Sequence, residues 1–170
     1  MITKIDTQIP EQTNRRILAI LLDVSGWGFG KDVRSVKNNV NKKDSGFLLS
    51  TYEYEKDNDH VLNVYAEIIF DFIQKNSYLK FKHIYRIYWN WYHPGSEMTF
   101  HDDEKKDNYY SIVYNLHNND GGTEFKINDK IEFYPSVVSQ AIVFPSKLIH
   151  RGIAPNKFFN RFSLNMVVEI

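Results

Sequence analysis

The sequence predicts an α+β fold, mainly β, in which N-terminal helices support an antiparallel barrel or sandwich, with a jelly roll as the best-fitting closed form. Three observations lead to this class. Helical periodicity is confined to the N-terminal part, short alternating segments follow from Phe81, and turn residues separate those segments. The 170 residues fit one domain, with helical support over about 1–80 and the jelly-roll core over about 81–170.

Two helices are predicted. The first covers roughly Thr13 to Leu22, although its RRILAILL run is also compatible with a buried strand. Residues 36–46 (VKNNVNKKDSG) are polar and predict a surface loop, and the stretch from there to Asp59 is ambiguous. The second helix follows, with Asp57 or Asn58 as its N-cap. Its apolar residues recur at helical spacing: Val61, Leu62, Tyr65, Ile68, Ile69, Phe72 and Ile73.

The first predicted strand, FKHIYRIYWNWY at 81–92, has two different faces because successive side chains point to opposite sides. One face is mainly aromatic and is expected to pack on a helix. The other carries Arg86, Asn90 and Tyr92 and is expected to line a cavity, with a solvated outer face as the alternative. Turns are expected at 118–122, 128–129 and 145–146. The remaining predicted strands are Tyr109–Leu116, Thr123–Ile127, Lys130–Tyr134, Ala141–Phe144 and Arg161–Ile170.

The amino-acid composition limits the kinds of functional site that the chain can form. The chain has no cysteine, so thiol nucleophiles, disulfides, iron–sulfur clusters and thiolate zinc sites are excluded, and a metal would need imidazole and carboxylate ligands. Lysine plus arginine equals aspartate plus glutamate, which disfavours nucleic acid as a partner. We find no signal-like or membrane-spanning segment and expect a cytoplasmic protein. Richness in asparagine, lysine and isoleucine is compatible with a bacterial or viral source.

His101, Asp103 and His150 are the candidate metal ligands. In an extended segment His101 and Asp103 share a face, while Asp102 points the other way. Two histidines and one carboxylate form a facial triad, which leaves the opposite face of an iron(II) ion open. A lone His-x-Asp arises often by chance in a surface turn or at a helix N-cap, so the interpretation depends on its surroundings.

The segment RFSLNM at 161–166 is the second part of the pattern. Arg161, Ser163 and Asn165 share one face of a predicted strand, and apolar residues occupy the other. A guanidinium beside a hydroxyl suits a carboxylate ligand, because the arginine fork matches its two oxygens. An exposed strand face with ordinary polar residues is the alternative.

Four segments together resemble the prolyl-4-hydroxylase-like branch of the iron(II)- and 2-oxoglutarate-dependent dioxygenases. They are YHPGSEMTFHDD at 92–103, YSIVYNLHNNDGGTEF at 110–125, FPSKLIHRG at 144–152 and RFSLNMVV at 161–168. Their order and spacing match the family. The resemblance implies a double-stranded β-helix core with N-terminal helices.

The resemblance also implies cofactors and site residues. Iron(II) would be held by His101, Asp103 and His150, with 2-oxoglutarate as cosubstrate and O2 as oxidant, and it leaves ascorbate open as a further cofactor. Arg161, assisted by Ser163, would bind the distal carboxylate of 2-oxoglutarate, and Tyr92 matches the tyrosine that reaches the same cosubstrate. The family places a second tyrosine before a leucine–asparagine pair, and this sequence departs from that pattern. The choice is between Tyr114 and Asn115, of which Asn115 is preferred.

The resemblance implies an enzyme that hydroxylates a C–H bond, with a prolyl residue of a peptide or protein as the favoured substrate. A small molecule, such as free proline or another amino acid, remains open as a substrate. A non-catalytic jelly-roll or cupin-like binding protein is the second class of function, and an ordinary β-rich domain with accidental motif matches is the third. The oligomeric state is left open.

Overall fold

The computed structural model describes residues 1–29, 46–53, 56–57 and 60–170. The predicted surface loop at 36–46 therefore lies outside the described residues, apart from Gly46. The helices are α1 (Glu11–Asp23) and α2 (Val61–Asn76). The strands are β1 (Thr3–Asp6), β2 (Gly28–Phe29), β3 (Phe47–Glu53), β4 (Lys56–Asp57), β5 (His83–Tyr92), β6 (Tyr109–Asn115), β7 (Asn119–Ile127), β8 (Lys130–Ser136), β9 (Gln140–Pro145), β10 (His150–Ile153) and β11 (Arg161–Glu169).

The strands form two antiparallel sheets. The larger sheet has the order β1-β9-β6-β11-β5-β3-β2, with β4 paired to β3, and the smaller sheet has the order β10-β7-β8. This architecture confirms the predicted mainly β jelly-roll class with N-terminal helices. The N-terminal part is not only helical, because β1 joins the edge of the larger sheet beside β9 and β3 pairs with β5. Both strands were missed in the sequence.

The larger sheet separates two apolar clusters. On one face, Trp89 and Leu164 pack with the apolar stripes of α1 and α2, which include Ile17 and Ile69. On the other face, a smaller cluster joins the two sheets: Val113, Phe125, Ile142 and Phe144. Full burial of an apolar side chain of this size contributes about 1.5–3 kcal/mol, so both clusters hold the sheet in place. The predicted aromatic face of the 81–92 strand does pack towards the helices.

Both predicted helices are present, but the predicted N-cap of α2 is wrong. Asp57 lies in β4, and Asn58 is outside the described residues. His60 is the N-cap instead, and its Nδ1 accepts a hydrogen bond of 3.1 Å from the backbone N–H of Leu62. An imidazole nitrogen can satisfy an unpaired N–H of the first helical turn in the same way as a carboxylate.

The segment 118–122 was predicted as a turn, and this is wrong because β7 already begins at Asn119. Glycine is needed at 121 and 122 because the neighbouring strands pack very close to these residues, and neither residue has a positive φ. A Cβ on Gly121 would lie 2.5 Å from the Ile153 carbonyl oxygen, and one on Gly122 would lie 2.2 Å from that of Tyr134. The strand is flanked by β10 and β8 at this point, with a register shift between Asn119 and Gly122.

The turn predicted at 128–129 is confirmed. Asn128 and Asp129 join β7 to β8, and both have positive φ, 48° and 61°. These are the residue types that tolerate the left-handed region in a two-residue hairpin. None of the helices in the described ranges is long and apolar enough to span a membrane.

Candidate metal centre and anion pocket

The candidate ligands come together because two distant segments pair as a short antiparallel bridge. His101 and His150 each donate a backbone N–H to the carbonyl oxygen of the other, both at 2.9 Å. The backbone N–H of Asp103 donates to the Ser146 carbonyl oxygen at 2.8 Å, which continues the same alignment. The extended backbone of 101–103 therefore runs along the segment that connects β9 to β10.

His101, Asp103 and His150 each offer one ligand atom, and these atoms lie within 4.8 Å of one another. The Nε2 atom of His150 is 3.5 Å from Asp103 Oδ2, and that of His101 is 3.9 Å from Asp103 Oδ1. The Asp103 side chain is 0% exposed, compared with 28% for His101. Asp102 is not part of the group, which agrees with the facing expected for an extended segment.

Both histidines are oriented by the same local contact. His101 Nδ1 is 3.0 Å from the Thr99 carbonyl oxygen, and His150 Nδ1 is 2.9 Å from the Leu148 carbonyl oxygen. A carbonyl oxygen only accepts, so each Nδ1 carries the proton and donates it. In the neutral form of each ring, Nε2 then has the lone pair, on the side of Asp103. This is the tautomer that a metal ion requires, and the backbone contact fixes the plane of each ring.

Three strands of the larger sheet hold the Asp103 carboxylate. Arg86 Nη2 on β5 donates to Oδ1 at 2.7 Å, and Ser111 Oγ on β6 donates to Oδ2 at 2.7 Å. Asn165 Nδ2 on β11 donates to Oδ2 at 3.2 Å. A carboxylate held through both oxygens has one orientation, so the position of this ligand is set before any metal ion binds.

A pocket opens beside this group and leads to Arg161. Its lining includes His101, His150, Asn90, Arg161 and Ser163. The polar face predicted for the 81–92 strand therefore does line a cavity, as Asn90 and Tyr92 show. Because β11 pairs with β5 and β6, the polar sides of three adjacent strands face the same space.

Arg161 is a buried cation, 1% exposed, and no carboxylate pairs with it among the described residues. Its Nη2 lies 3.5 Å from both Asn115 Oδ1 and Thr123 Oγ1, at the limit of hydrogen bonding. Its Nε and Nη1 have no hydrogen-bond acceptor in the part of the chain that the structure describes. Burial lowers the pKa of the Arg161 guanidinium, and the nearby Tyr92 opposes this effect. A guanidinium remains protonated even so, and such a group requires an anion.

Tyr92 closes one side of this pocket. The Arg161 guanidinium lies 5.0 Å from the centre of the Tyr92 ring. The tyrosine fits only because residue 152 is glycine, since a Cβ there would lie 2.6 Å from the Tyr92 hydroxyl oxygen. Gly152 thus creates the space in which the tyrosine reaches the arginine.

Tyr114 and Asn115 point to opposite sides of β6. Tyr114 faces the helices, and its hydroxyl donates to Asn14 Oδ1 on α1 at 2.8 Å. Asn115 faces Arg161, and its Oδ1 accepts a hydrogen bond of 3.0 Å from Ser136 Oγ. The sequence-based preference for Asn115 over Tyr114 therefore agrees with the placement of the two side chains, and contact with a cosubstrate stays a prediction.

Sequence reasoning missed four residues of the site. Arg86 was visible on the polar face of its strand but carried no motif, and Ser111 and Thr123 are single hydroxyls without a motif of their own. Gly152 was part of a matched segment, but its role depends on the tyrosine opposite. Each of these residues acts through a partner on another segment of the chain, and spacing alone does not identify such partners.

A second cavity, an open groove of about 730 Å³, adjoins the Arg161 pocket. It is lined by residues 95–100 and 151–156 and shares Met98 and Gly152 with the Arg161 pocket. Phe100 lies in its wall with Lys126 4.3 Å and Arg151 4.5 Å from the ring centre, so two cations hold the ring in place.

Comparison with known proteins establishes the fold. No protein-family model and no curated protein matches the sequence. Among solved structures, the chain is similar to a Pseudomonas putida prolyl-4-hydroxylase, with 13% identity, a TM-score of 0.65 and coverage of 99% of this chain and 92% of that one. A Trichoplax adhaerens prolyl hydroxylase bound to a hypoxia-inducible-factor peptide gives 12% identity, a TM-score of 0.72 and coverage of 99% and 83%.

A third similar structure is HygX from Streptomyces hygroscopicus with nickel and 2-oxoglutarate bound, at 7% identity and a TM-score of 0.69 over 99% of this chain and 82% of that one. At these identities the likeness concerns the fold. It confirms, at that level, the resemblance to iron(II)- and 2-oxoglutarate-dependent oxygenases stated from the sequence.

The surroundings of His117 predict how the stability of the protein depends on pH. Its Nδ1 contacts the Asn118 carbonyl oxygen at 3.2 Å, and its Nε2 accepts the backbone N–H of Phe162 at 3.3 Å. Burial lowers the pKa of His117 from its ordinary value of 6.5, and the charge of Arg161 lowers it further, against the raising effect of the contact with Asn118. The unfolded chain therefore takes up this proton at a higher pH than the folded chain, and the contribution of His117 to stability is lost as pH falls below about 6.5.

We expect His117→Gln, which has no titrating group, to flatten the pH dependence of unfolding between pH 7.5 and pH 5. The measurement is the free energy of unfolding in urea for both proteins at several pH values. The control is His83→Gln, at a histidine whose side chain is 54% exposed. Parallel curves for wild type and His117→Gln would contradict the assignment.

Proposed function

We propose that this protein is a non-haem iron(II) enzyme that uses 2-oxoglutarate and O2 to hydroxylate a C–H bond. One observation carries the proposal: the two histidines of a two-histidine, one-carboxylate group line the same pocket as a buried arginine that has no carboxylate partner among the described residues. A structural zinc site would close the metal with a fourth protein ligand. A simple binding protein has no need for both features.

The donor set fits iron(II). Two neutral imidazoles and one carboxylate are the ligands of the facial triad, which leaves coordination positions for other molecules. His101, Asp103 and His150 would hold the ion, and the Nδ1 contacts of both histidines direct Nε2 towards it. Within the described ranges, no other group of this composition is present.

The pocket fits 2-oxoglutarate. The Nε and Nη1 of Arg161 have no acceptor among the described residues, and each can combine with Nη2 to present the two parallel donors that a carboxylate accepts. Tyr92 and Ser163 line the same pocket, and Thr123 and Asn115 contact the guanidinium. Arg161 would therefore bind the distal carboxylate of the cosubstrate, and the other four residues would orient the guanidinium or add hydrogen bonds.

This geometry indicates what the bound groups and the side chains would each contribute to the reaction. Bound iron and 2-oxoglutarate would supply the activation of O2, which side chains cannot perform. Arg161 and Tyr92 fix the orientation of the cosubstrate, and the donors to Asp103 fix that of the carboxylate ligand. Phe125 and Phe144 pack beside His150, with ring centres 5.9 Å and 4.7 Å from it, and keep water away from the buried side of the metal group.

For the substrate, we propose a prolyl residue in a peptide or protein. The supporting observation is the open groove that adjoins the Arg161 pocket, which suits an extended chain better than an enclosing pocket would. The Trichoplax prolyl hydroxylase was solved with a peptide bound, and HygX with the small molecule hygromycin B. A small-molecule substrate, such as a free amino acid, is the alternative.

The metal ligands give a first prediction. Asp103→Ala is expected to weaken iron(II) binding by at least about 100-fold, because it removes the only carboxylate of the group. Asp102→Ala is the matched control and should bind iron(II) like wild type. Anaerobic titration of the metal-free protein measures both affinities. Equal losses in the two variants would contradict the assignment of Asp103.

The anion pocket gives a second prediction. Arg161→Met should weaken 2-oxoglutarate binding to the iron-loaded protein by at least about 30-fold, as expected when a buried ionic contact is lost. Arg151→Met, which changes an arginine on the groove, is the control. The readout is the weak visible charge-transfer band that forms when 2-oxoglutarate chelates iron(II) in the absence of O2. Unchanged affinity in Arg161→Met would show that the cosubstrate binds elsewhere.

The substrate gives a third prediction. Proline-containing peptides should gain one oxygen atom, detected as a mass increase of about 16 Da, with stoichiometric formation of succinate from 2-oxoglutarate. The same peptides with alanine in place of proline, and free proline, are the controls. Hydroxylation of free proline but not of peptides would favour the small-molecule alternative. No succinate with any substrate, together with normal metal and 2-oxoglutarate binding, would favour a binding protein.

A further inference from the structure

We propose that Arg86 is the counter-charge of the metal-binding carboxylate: it pairs with Asp103 in the metal-free protein and competes with the metal ion for its charge. The inference rests on the proposed metal-binding function and goes beyond it, because it assigns a role to a residue outside the ligand set. It concerns how tightly the protein binds its metal.

The contact between the two residues is buried. Arg86 Nη2 lies 2.7 Å from Asp103 Oδ1, and the two side chains are 6% and 0% exposed. Among the described residues, Arg86 and Arg161 are the two buried arginines, and Arg161 has no such carboxylate partner. The Arg86–Asp103 pair is thus a buried ion pair, in a setting where charges interact much more strongly than on the surface.

The arginine is itself fixed in place. Its guanidinium lies 4.3 Å from the centre of the Tyr88 ring, and its Nη2 is 3.4 Å from Asn165 Oδ1. Asn165 in turn donates to Asp103 Oδ2. The three side chains form a closed cycle of contacts across β5, β11 and the Asp103 segment. Rotation of the carboxylate would break this cycle, so the cycle keeps Asp103 paired with Arg86 in the metal-free protein.

The charges of Arg86, Asp103 and the metal ion predict how the arginine affects metal binding. A buried carboxylate without a counter-charge is strongly destabilising, so Arg86 stabilises the metal-free protein. When a divalent cation binds, the same carboxylate faces two positive partners that repel each other. Arg86 and the metal ion therefore oppose each other thermodynamically, and each lowers the benefit of the other.

A purely structural role for Arg86 leads to a different result. If the side chain only supported β5 through Tyr88, its removal would destabilise the metal-free and metal-loaded proteins by the same amount. Metal affinity would then remain unchanged. The two explanations are separated by whether the metal ion restores the stability that the substitution removes.

The test compares wild type, Arg86→Met and Arg86→Lys, with Ser111→Ala as the matched control that removes an uncharged donor from the same carboxylate. Cobalt(II), which is insensitive to the redox state of the buffer, is the probe. Two quantities are measured: the Tm with and without saturating cobalt(II), and the cobalt(II) dissociation constant from its visible absorption.

We expect Arg86→Met to lower the Tm of the metal-free protein, to recover much of that loss with cobalt(II), and to bind cobalt(II) about tenfold more tightly than wild type. Arg86→Lys keeps the charge and should retain an affinity near that of wild type. Ser111→Ala should not tighten binding. Equal loss of Tm with and without metal, or weaker binding in Arg86→Met, would overturn the proposal.

Four further outcomes are informative. If Arg86→Met folds only in the presence of cobalt(II), the metal has replaced the arginine as counter-charge, as expected. If Arg86→Met folds in neither condition, the same measurements are made on Arg86→Gln, which keeps a hydrogen-bond donor but no charge, and the same criteria apply. Wild type that binds no cobalt(II) would overturn the proposed function together with this inference. Normal binding by wild type with unchanged affinity in the neutral Arg86 variants would overturn this inference alone.

Discussion

The mutual backbone hydrogen bonds between His101 and His150 bring the candidate ligands together. They join the segment after β5 to the start of β10, and so they place two imidazoles on the same side of a short two-stranded bridge. Asp103 extends the alignment by one more backbone contact, to Ser146. Without this pairing, the histidines would belong to independent connections, and the carboxylate alone would remain anchored to the larger sheet.

Alternation along the strands of the larger sheet places the three donors to Asp103, and Arg161 itself, on the same face of that sheet. On β11, residues facing the helices are apolar, and those facing the smaller sheet are Arg161, Ser163 and Asn165. On β5, the same alternation directs Trp89 to one side and Asn90 to the other. A sheet whose two faces differ chemically can pack against a dry core on one side and line a polar pocket on the other. This arrangement explains how a protein of this size accommodates both a metal group and an anion pocket.

The sequence predicts the two helices, six of the strands and the polar pocket faces because these depend on local periodicity and parity. Short strands such as β1 and β10 are not predictable in this way, since four residues contain too little pattern and their existence depends on partners elsewhere in the chain. The turn expected at 118–122 failed because glycines at a crowded strand crossing look like glycines in a turn. Similarly, Arg86 has no motif, and only the folded chain shows that it faces Asp103.

Gly152 and Tyr92 have a consequence for the evolution of this protein. A side chain at position 152 would overlap the tyrosine ring, since even its Cβ would lie 2.6 Å from the hydroxyl oxygen. A larger residue at 152 therefore requires either that the Tyr92 ring move or that residue 92 become smaller, and both changes would alter the space beside Arg161. The two positions should covary among related sequences, as a small–large pair. A related protein with a larger residue at 152 and a smaller one at 92 would be expected to hold a different ligand beside the arginine.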